Sequence, residues 1–502
     1  MDKSILRTRG AAMTVVRSRV EPTSITFPEG FRWGAATAAY QIEGATRAAG
    51  RGRSIWDTFA ATPGRVHQGH TGDVACDHYR RYRDDIALLA DLGMGTYRFS
   101  IAWPRIKPDG SGPTNRAGLD FYDRLVDELC ARGVEPMVTL YHWDLPQALE
   151  DRGGWTARST AEAFAEYAAT VVDRLGDRVP TWTTLNEPYC SAFLGYGDTH
   201  HAPGRGDPQA AFRAVHHLLL GHGLAAQALR AGGANEVSIT LNVTHVEAVD
   251  PDDPHDLAAA RRVDGLSNRL FSDALLRGEY PDDMLPLFER FGALSAIHHG
   301  DLATIATPID LVGLNYYNPS WVRARIGAPA SPAFPGTEGV EFVDPGLSTT
   351  DMGWPVDASG LTKALLRFAA DHPGMPVMIT ENGAAYSEQV VDGRVSDPDR
   401  IAFLDSHLQA AHDAISEGVD LRGYLVWSLL DNFEWAHGYD KRFGIVHVDY
   451  RTQQRIPKDS ARWFSGVIRA NGLPAATEDA AWPAMPGRRH AQPPPPGGHA
   501  LR

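Results

Sequence analysis

Thr181-Trp182-Thr183-Thr184-Leu185-Asn186-Glu187-Pro188 and Pro376-Val377-Met378-Ile379-Thr380-Glu381-Asn382-Gly383 follow one plan. Each is a short β-branched and apolar run that delivers a glutamate at its C-terminal end and then breaks at Pro or Gly. A parallel barrel presents carboxylates at one rim in this way. Working outward, six further runs read as strands: Phe31 to Ala39, Thr96 to Ala102, Glu135 to Tyr141, Val237 to Val243, Leu311 to Tyr316 and Leu421 to Leu429. Such near-continuous apolar runs belong to strands buried on both faces. Between them, apolar residues recur at three- and four-residue spacing over Tyr82 to Leu92, Leu119 to Arg132, Ala161 to Leu175, Ala210 to Leu229, Asp256 to Leu276, Gly360 to His372 and Pro398 to Glu417. That is the helical period. Strand and helix alternating eight times predict an α/β fold, a single (β/α)8 TIM barrel with long βα loops. An open doubly wound sheet is the alternative, but no Gly-rich dinucleotide fingerprint follows any strand.

Composition sets the bounds. The 502 residues carry a net charge of −14 without long single-sign runs, which argues against nucleic acid as a partner. Cys76, Cys130 and Cys190 form no CxxC pair and make an odd total, fitting a reducing, cytoplasmic setting and buried, inert thiols. Residues 1–22 are basic but lack an apolar stretch of signal-peptide length; they read as an N-terminal extension, with Met13 as an alternative start. From residue 473 the chain turns to Pro, Gly, Ala, Arg and His, so 473–502 is expected to be a disordered tail and 23–472 the catalytic barrel. No run of about eighteen apolar residues marks a membrane span.

The strand ends carry polar and aromatic tips. Gln41 follows the first strand, Arg98 lies in the second, and His142-Trp143-Asp144 closes the third. Asn186-Glu187 ends the fourth, the fifth passes Asn242, and the sixth ends Asn315-Tyr316-Tyr317. The seventh bears Glu381, and the eighth bears Trp427 ahead of Asp431-Asn432-Phe433-Glu434-Trp435. Tips of this kind on nearly every strand describe a pocket. Two acids at such tips suggest glycosidic bond cleavage, in which one carboxyl protonates the leaving oxygen and another attacks or activates water. The histidine pairs at 200–201, 216–217 and 298–299 are adjacent rather than three or four apart, so no metal site is expected. Neither a Gly-x-Ser-x-Gly elbow nor a Walker loop is present, and no cofactor is expected.

The ordered motifs Phe27-Pro28 through Gln41-Ile42-Glu43-Gly44-Ala45, Ser54 to Phe59, Tyr97 to Arg105, Thr184 to Pro188, Thr380 to Gly383 and Trp427 to Trp435 resemble family 1 glycoside hydrolases, the β-glucosidase family. The resemblance runs from about Thr23 to Gly472. It implies a retaining β-glycosidase acting on small-molecule β-glycosides, with Glu187 as acid/base, Glu381 as nucleophile, and Arg98 and Tyr317 aligning the nucleophile. It implies a sugar site built from Gln41, His142, Asn186, Asn315 and Glu434, with Trp427 as the platform under the ring and Trp435 and Trp143 beside it. His201 to Gly204 looks like a rim loop with a structural role. Retaining chemistry needs the two carboxyls roughly 5 to 5.5 Å apart. It also needs Glu187 protonated near neutrality, through desolvation and the neighbouring Glu381 charge.

Phospho-specific relatives typically have Ser at the position of Glu434, with Lys and Tyr nearby to hold the 6-phosphate. A fixed anion at Glu434 would repel phosphate and favour an uncharged glycoside. Trp354, in Asp351-Met352-Gly353-Trp354, is expected to line the leaving-group subsite. There the following Pro355-Val356-Asp357-Ala358 departs from the family pattern and leaves aglycone preference open. A transglycosylase using the same intermediate and a non-catalytic sugar-binding relative are the other readings, the latter disfavoured by the presence of both glutamates.

Overall fold

The computed structural model describes residues 25–473. Eight parallel strands close into a barrel: β1 (Arg32–Ala36), β2 (Thr96–Ser100), β3 (Glu135–Tyr141), β4 (Thr181–Asn186), β5 (Glu236–Asn242), β6 (Leu311–Asn315), β7 (Val377–Asn382) and β8 (Leu421–Trp427). Neighbours follow chain order, and β8 returns to pair with β1. Every residue of β2, β4, β6 and β7 is buried, because side chains on one face fill the barrel and those on the other meet the helices.

The covering helices are α1 (His78–Asp91), α2 (Arg116–Ala131), α3 (Arg158–Leu175), α4 (Pro208–Ala231), α5 (Pro254–Asp264), α6 (Ser359–Asp371), α7 (Pro398–Ser416) and α8 (Asp459–Ala470). After α5 the chain runs through a π-helical turn, Gly265–Arg269, into the helix Leu270–Leu276. In α2 the buried residues Phe121, Tyr122, Leu125, Val126 and Leu129 form one face, as the three- and four-residue spacing dictates. Among the described residues no helix is long and apolar enough to cross a membrane.

The first strand is shorter than its apolar run. Ser100 Oγ accepts from Ala39 N at 2.7 Å, and the chain turns into the helix Ala39–Ile42, which carries Gln41 toward the pocket. At the other end, Leu473 pairs with Ile25, and Thr26 with Gly472. The expected extension at 1–22 lies outside the described residues, as does the expected tail at 473–502 except for Leu473, which this pairing buries and returns to the folded part of the chain.

The pairing is irregular at the C-terminal rim. The β4–β5 register shifts between Thr183 and Asn186, and the β7–β6 register between Ile379 and Glu381. Such shifts re-aim side chains, and here they fall beside both glutamates. Gly383 serves a close approach: a Cβ there would lie 1.7 Å from the carbonyl oxygen of Trp427.

Beyond β8, a buried ion network anchors the turn that carries Glu434. Asp431 Oδ1 accepts from Lys458 Nζ at 2.8 Å, and its Oδ2 accepts from Arg442 Nη1 at 2.7 Å. Lys458, just before α8, also meets Glu388 at 2.5 Å, while Arg400 of α7 lies 3.4 Å from Glu388 and pairs with Asp397. Glu388, Asp431 and His447 bring ligand-type atoms together, but these cations already compensate both carboxylates. Removing one partner of a buried pair strands the other, at a cost of about 3–5 kcal/mol. Lys458→Met is therefore expected to lower the unfolding free energy by about 3–5 kcal/mol, read as a lower denaturant midpoint at unchanged slope; an unchanged midpoint would contradict the role given to this network.

Candidate active site

A cavity of about 430 Å3 opens at the C-terminal ends of the strands. His142, Trp143, Glu187, Asn315, Tyr317, Trp354, Glu381, Trp427, Glu434 and Trp435 all line it. Gln41, Arg98 and Asn186 are buried directly behind this wall and bond to side chains that form it.

Glu381 is gripped from both sides. Arg98 Nη1 donates to its Oε1 at 2.6 Å, and Tyr317 Oη donates to its Oε2 at 2.7 Å. Its backbone oxygen accepts from Tyr316 N, and the neighbouring Asn382 donates to the Tyr316 carbonyl at 2.6 Å, locking β7 to the end of β6. The Arg98 and Tyr317 bonds are short and charge-assisted, and they favour the carboxylate.

Glu187 sits on different terms. Its backbone is left-handed, φ 48°, with its N–H bonded to the Thr240 carbonyl at 2.9 Å. Asn315 Nδ2 donates to Oε1 at 2.8 Å, and the Cys190 thiol lies 3.2 Å from Oε2. Among the described residues no cation pairs with it. Burial first, and then the Glu381 charge, push its pKa up to about 7. Burial also raises Glu381, against the downward pull of Arg98 and Tyr317. Two interacting carboxyls lose their protons as a pair. With strong donors on both of its oxygens, Glu381 ionises first and Glu187 keeps the remaining proton.

Hydrogen-bond directions around Asn186 follow from its neighbours. Its Oδ1 accepts from Arg98 Nη2 at 2.6 Å and from Asn315 Nδ2 at 3.1 Å, so its amide nitrogen faces His142 Nε2 at 3.0 Å. Burial and the Arg98 charge hold His142 well below its usual range, and the neutral ring accepts at Nε2 and carries its proton at Nδ1.

Opposite stand Glu434 and an aromatic wall. Gln41 Nε2 donates to Asn432 Oδ1, to the Phe433 carbonyl and, at 3.4 Å, to Glu434 Oε2. Gln41 Oε1 is buried and has no partner among the described residues, which leaves an acceptor for an incoming donor. Trp427 stacks against His142 at 5.7 Å, and Trp143 and Trp435 lie 4.6 Å apart. His201 packs on Trp143 at the rim, and Trp354 meets Tyr317 at 5.4 Å on the opposite side. One sequence expectation changes. Burial, then the Glu381 and Glu187 charges, push Glu434 up to about 8, so near neutral pH the protonated form is favoured over a fixed anion.

The cysteines also depart from a uniform set of buried, inert thiols. Cys130 is exposed, Cys76 bonds to the Asp431 carbonyl, and Cys190 touches Glu187. Sequence reasoning missed Cys190, Phe334 and Phe443 in the lining. Cys190 was visible as the third residue after Glu187, whereas Phe334 and Phe443 lie in irregular loops that give no period to follow.

The sequence profile described as glycosyl hydrolase family 1 matches residues 23–473. A thermostable β-glucosidase B of Thermobispora bispora is 56% identical over 454 residues, covering 89% of this chain and 92% of its own. A bifunctional β-D-glucosidase/β-D-fucosidase of Bifidobacterium breve is 48% identical over 461 residues, covering 89% and 98%. Among solved structures, a psychrophilic β-glucosidase of Micrococcus antarcticus superposes with a TM-score of 0.87 at 50% identity, covering 89% of this chain and 98% of that one. A Thermotoga maritima β-glucosidase in complex with deoxynojirimycin gives 0.85 at 46%, covering 89% and 100%. The chain belongs to glycosyl hydrolase family 1 and is a retaining glycoside hydrolase.

The charge arrangement has a direct test. In protein carrying 13C-labelled glutamate carboxyls, Glu187 is expected to titrate near pH 7, and Glu381→Gln, which removes the neighbouring charge, should lower that midpoint. An unmoved midpoint would show that the two carboxyls do not interact.

Proposed function

We propose that this enzyme is a β-glucosidase that removes non-reducing terminal β-D-glucosyl residues from cellobiose, short cello-oligosaccharides and aryl or alkyl β-glucosides. The names of its relatives support glucose, and the bifunctional relative supports β-fucosides as a second substrate class. The observation that carries the assignment of roles is the unequal surroundings of the two glutamates, Glu381 clasped by a cation and a phenol and Glu187 by weaker donors alone.

In the first step Glu381 attacks the anomeric carbon as the bond to the leaving oxygen breaks, and Glu187 gives that oxygen its proton. Esterification removes the Glu381 charge, so the affinity of Glu187 for a proton falls. It then takes a proton from water as water attacks the same carbon, and Glu381 leaves as a carboxylate. Gln41 Oε1, His142 Nδ1–H, Asn186 and Glu434 are the proposed partners of the sugar hydroxyls. Bound hydroxyl donors would favour ionised Glu434. No Lys or Arg lines the cavity among the described residues, so a 6-phosphate would face acids without a free cation, which supports the unphosphorylated substrate. A cytoplasmic setting belongs to the same proposal, on the three free cysteines.

Product analysis on cellobiose at rising concentration tests the activity: glucose as the main product supports hydrolysis, whereas accumulating trisaccharide would favour transfer. Azide tests the roles. With a dinitrophenyl β-glucoside, Glu187→Ala plus azide should give the β-glucosyl azide, and Glu381→Ala plus azide the α-azide. The reverse pairing would mean that the two roles are exchanged.

For Glu434→Ser, loss of charge-assisted bonds worth about 1.5–3 kcal/mol each should cut kcat/KM for plain glucosides at least about tenfold. A wild-type preference for the 6-phosphoglucoside would overturn the substrate class.

A further inference from the structure

After β4 the chain turns through left-handed Glu187 and enters a π-helical segment, Cys190–Gly197. The turn brings the third residue back over the first: Cys190 N donates to the Glu187 carbonyl at 3.0 Å, and Cys190 Sγ stands 3.2 Å from Glu187 Oε2. The thiol is buried and lines the cavity.

The two oxygens of Glu187 are therefore not equivalent. Asn315 has its orientation fixed, because its Oδ1 accepts from Thr380 Oγ1 at 2.8 Å, so Nδ2 is the group that reaches Glu187 Oε1. An amide nitrogen only donates, and the carbonyl oxygen of a carboxylic acid accepts better than its hydroxyl oxygen, so Oε1 is favoured as the carbonyl oxygen when Glu187 is neutral. The proton is then favoured on Oε2, the oxygen beside sulfur. Burial, followed by the Glu187 charge, raises the Cys190 pKa well above its usual range, so the sulfur keeps its hydrogen. A thiol is both a weak donor and a weak acceptor. It can give S–H to a carboxylate oxygen and receive O–H from a carboxylic acid.

We propose that Cys190 is a positioning residue for Glu187, holding the transferable proton on Oε2 and reversing the direction of its own hydrogen bond each time Glu187 changes charge. The proposal rests on the acid/base reading of Glu187. A weak partner suits a group that must both give up and take back a proton, because a strong donor would favour the carboxylate throughout. The other charged or titratable groups facing Glu187 are Glu381, Arg98, Glu434 and the Tyr317 phenol, and substitution at 190 changes none of them.

The test compares Cys190→Ser with Cys190→Ala. A hydroxyl donates more strongly than a thiol, and a methyl does not donate at all. With cellobiose, whose leaving group needs protonation, the basic limb of kcat/KM against pH is expected to move to lower pH in the Ser variant. In the Ala variant it should move to higher pH, each shift being about half a unit or more. The 13C midpoint of Glu187 should move in the same two directions. A packing role alone would lower thermal stability or kcat/KM in both variants and leave the limb in place. Limbs and midpoints that stay put, or that move the same way in both variants, overturn the proposal. Should the Ala variant not fold, an upward or absent shift in the Ser variant does so by itself. If the azide products contradict the role of Glu187 while the 13C midpoints still split, the acid/base reading fails and the thiol contact stands.

Discussion

A single guanidinium sets the terms of the pocket. Arg98 is buried and reaches Glu381 with one nitrogen and Asn186 with the other. Three buried carboxyls, Glu187, Glu381 and Glu434, share a cavity whose lining adds no further Lys or Arg among the described residues. Buried carboxyls crowded together cannot easily all carry charge, and the acid nearest the cation ionises most easily. Arg98 thereby assigns the negative charge to Glu381 and leaves protons with the other two. Its second arm fixes which way Asn186 faces, and through Asn186 the tautomer of His142. One cation thus orders groups drawn from β2, β4 and β7 and from the residue that follows β3.

The barrel makes that order affordable in conformational terms. Glu187, Trp143 and Trp435 all have left-handed backbones, with φ of 48°, 75° and 47°. Such conformations in non-glycine residues persist where the surroundings over-determine them. Glu187 is tied to β5 through the Thr240 carbonyl, the Trp143 indole donates to the Asn186 carbonyl at 3.0 Å, and Trp435 is wedged against Trp56 at 4.6 Å. The turn bearing Glu434 depends in addition on the Asp431 and Lys458 network, which binds it to α7 and α8.

Much of this was legible in the sequence for physical reasons. Strands buried on both faces announce themselves as apolar runs, and all eight lay where those runs were. The tips were legible because polar and aromatic residues at the ends of apolar stems have little structural reason to be there. Proton states were harder to read: Glu434 looks like an anion in the sequence, and its burial, followed by its nearness to two other acids, is what raises its pKa. Cys190 was visible three residues from Glu187, but its contact depends on the left-handed turn and the π-helical segment, which spacing alone does not reveal. The ion network escaped because its members, from Glu388 to Lys458, lie far apart in the chain and each resembles an ordinary surface charge.

The short pairing of Ile25–Thr26 with Gly472–Leu473 has a practical side. It sits beside the start of β1, where Trp33 Nε1 bonds to Asn471 Oδ1 at 2.9 Å, and so at the end of the barrel opposite the cavity. Immobilising the enzyme on a resin, or joining it to a second catalyst, through a residue of this pairing such as Thr26 or Gly472 would leave the sugar entrance pointing away from the attachment. Both strands of the pairing could be tethered to one support without pulling on the rim.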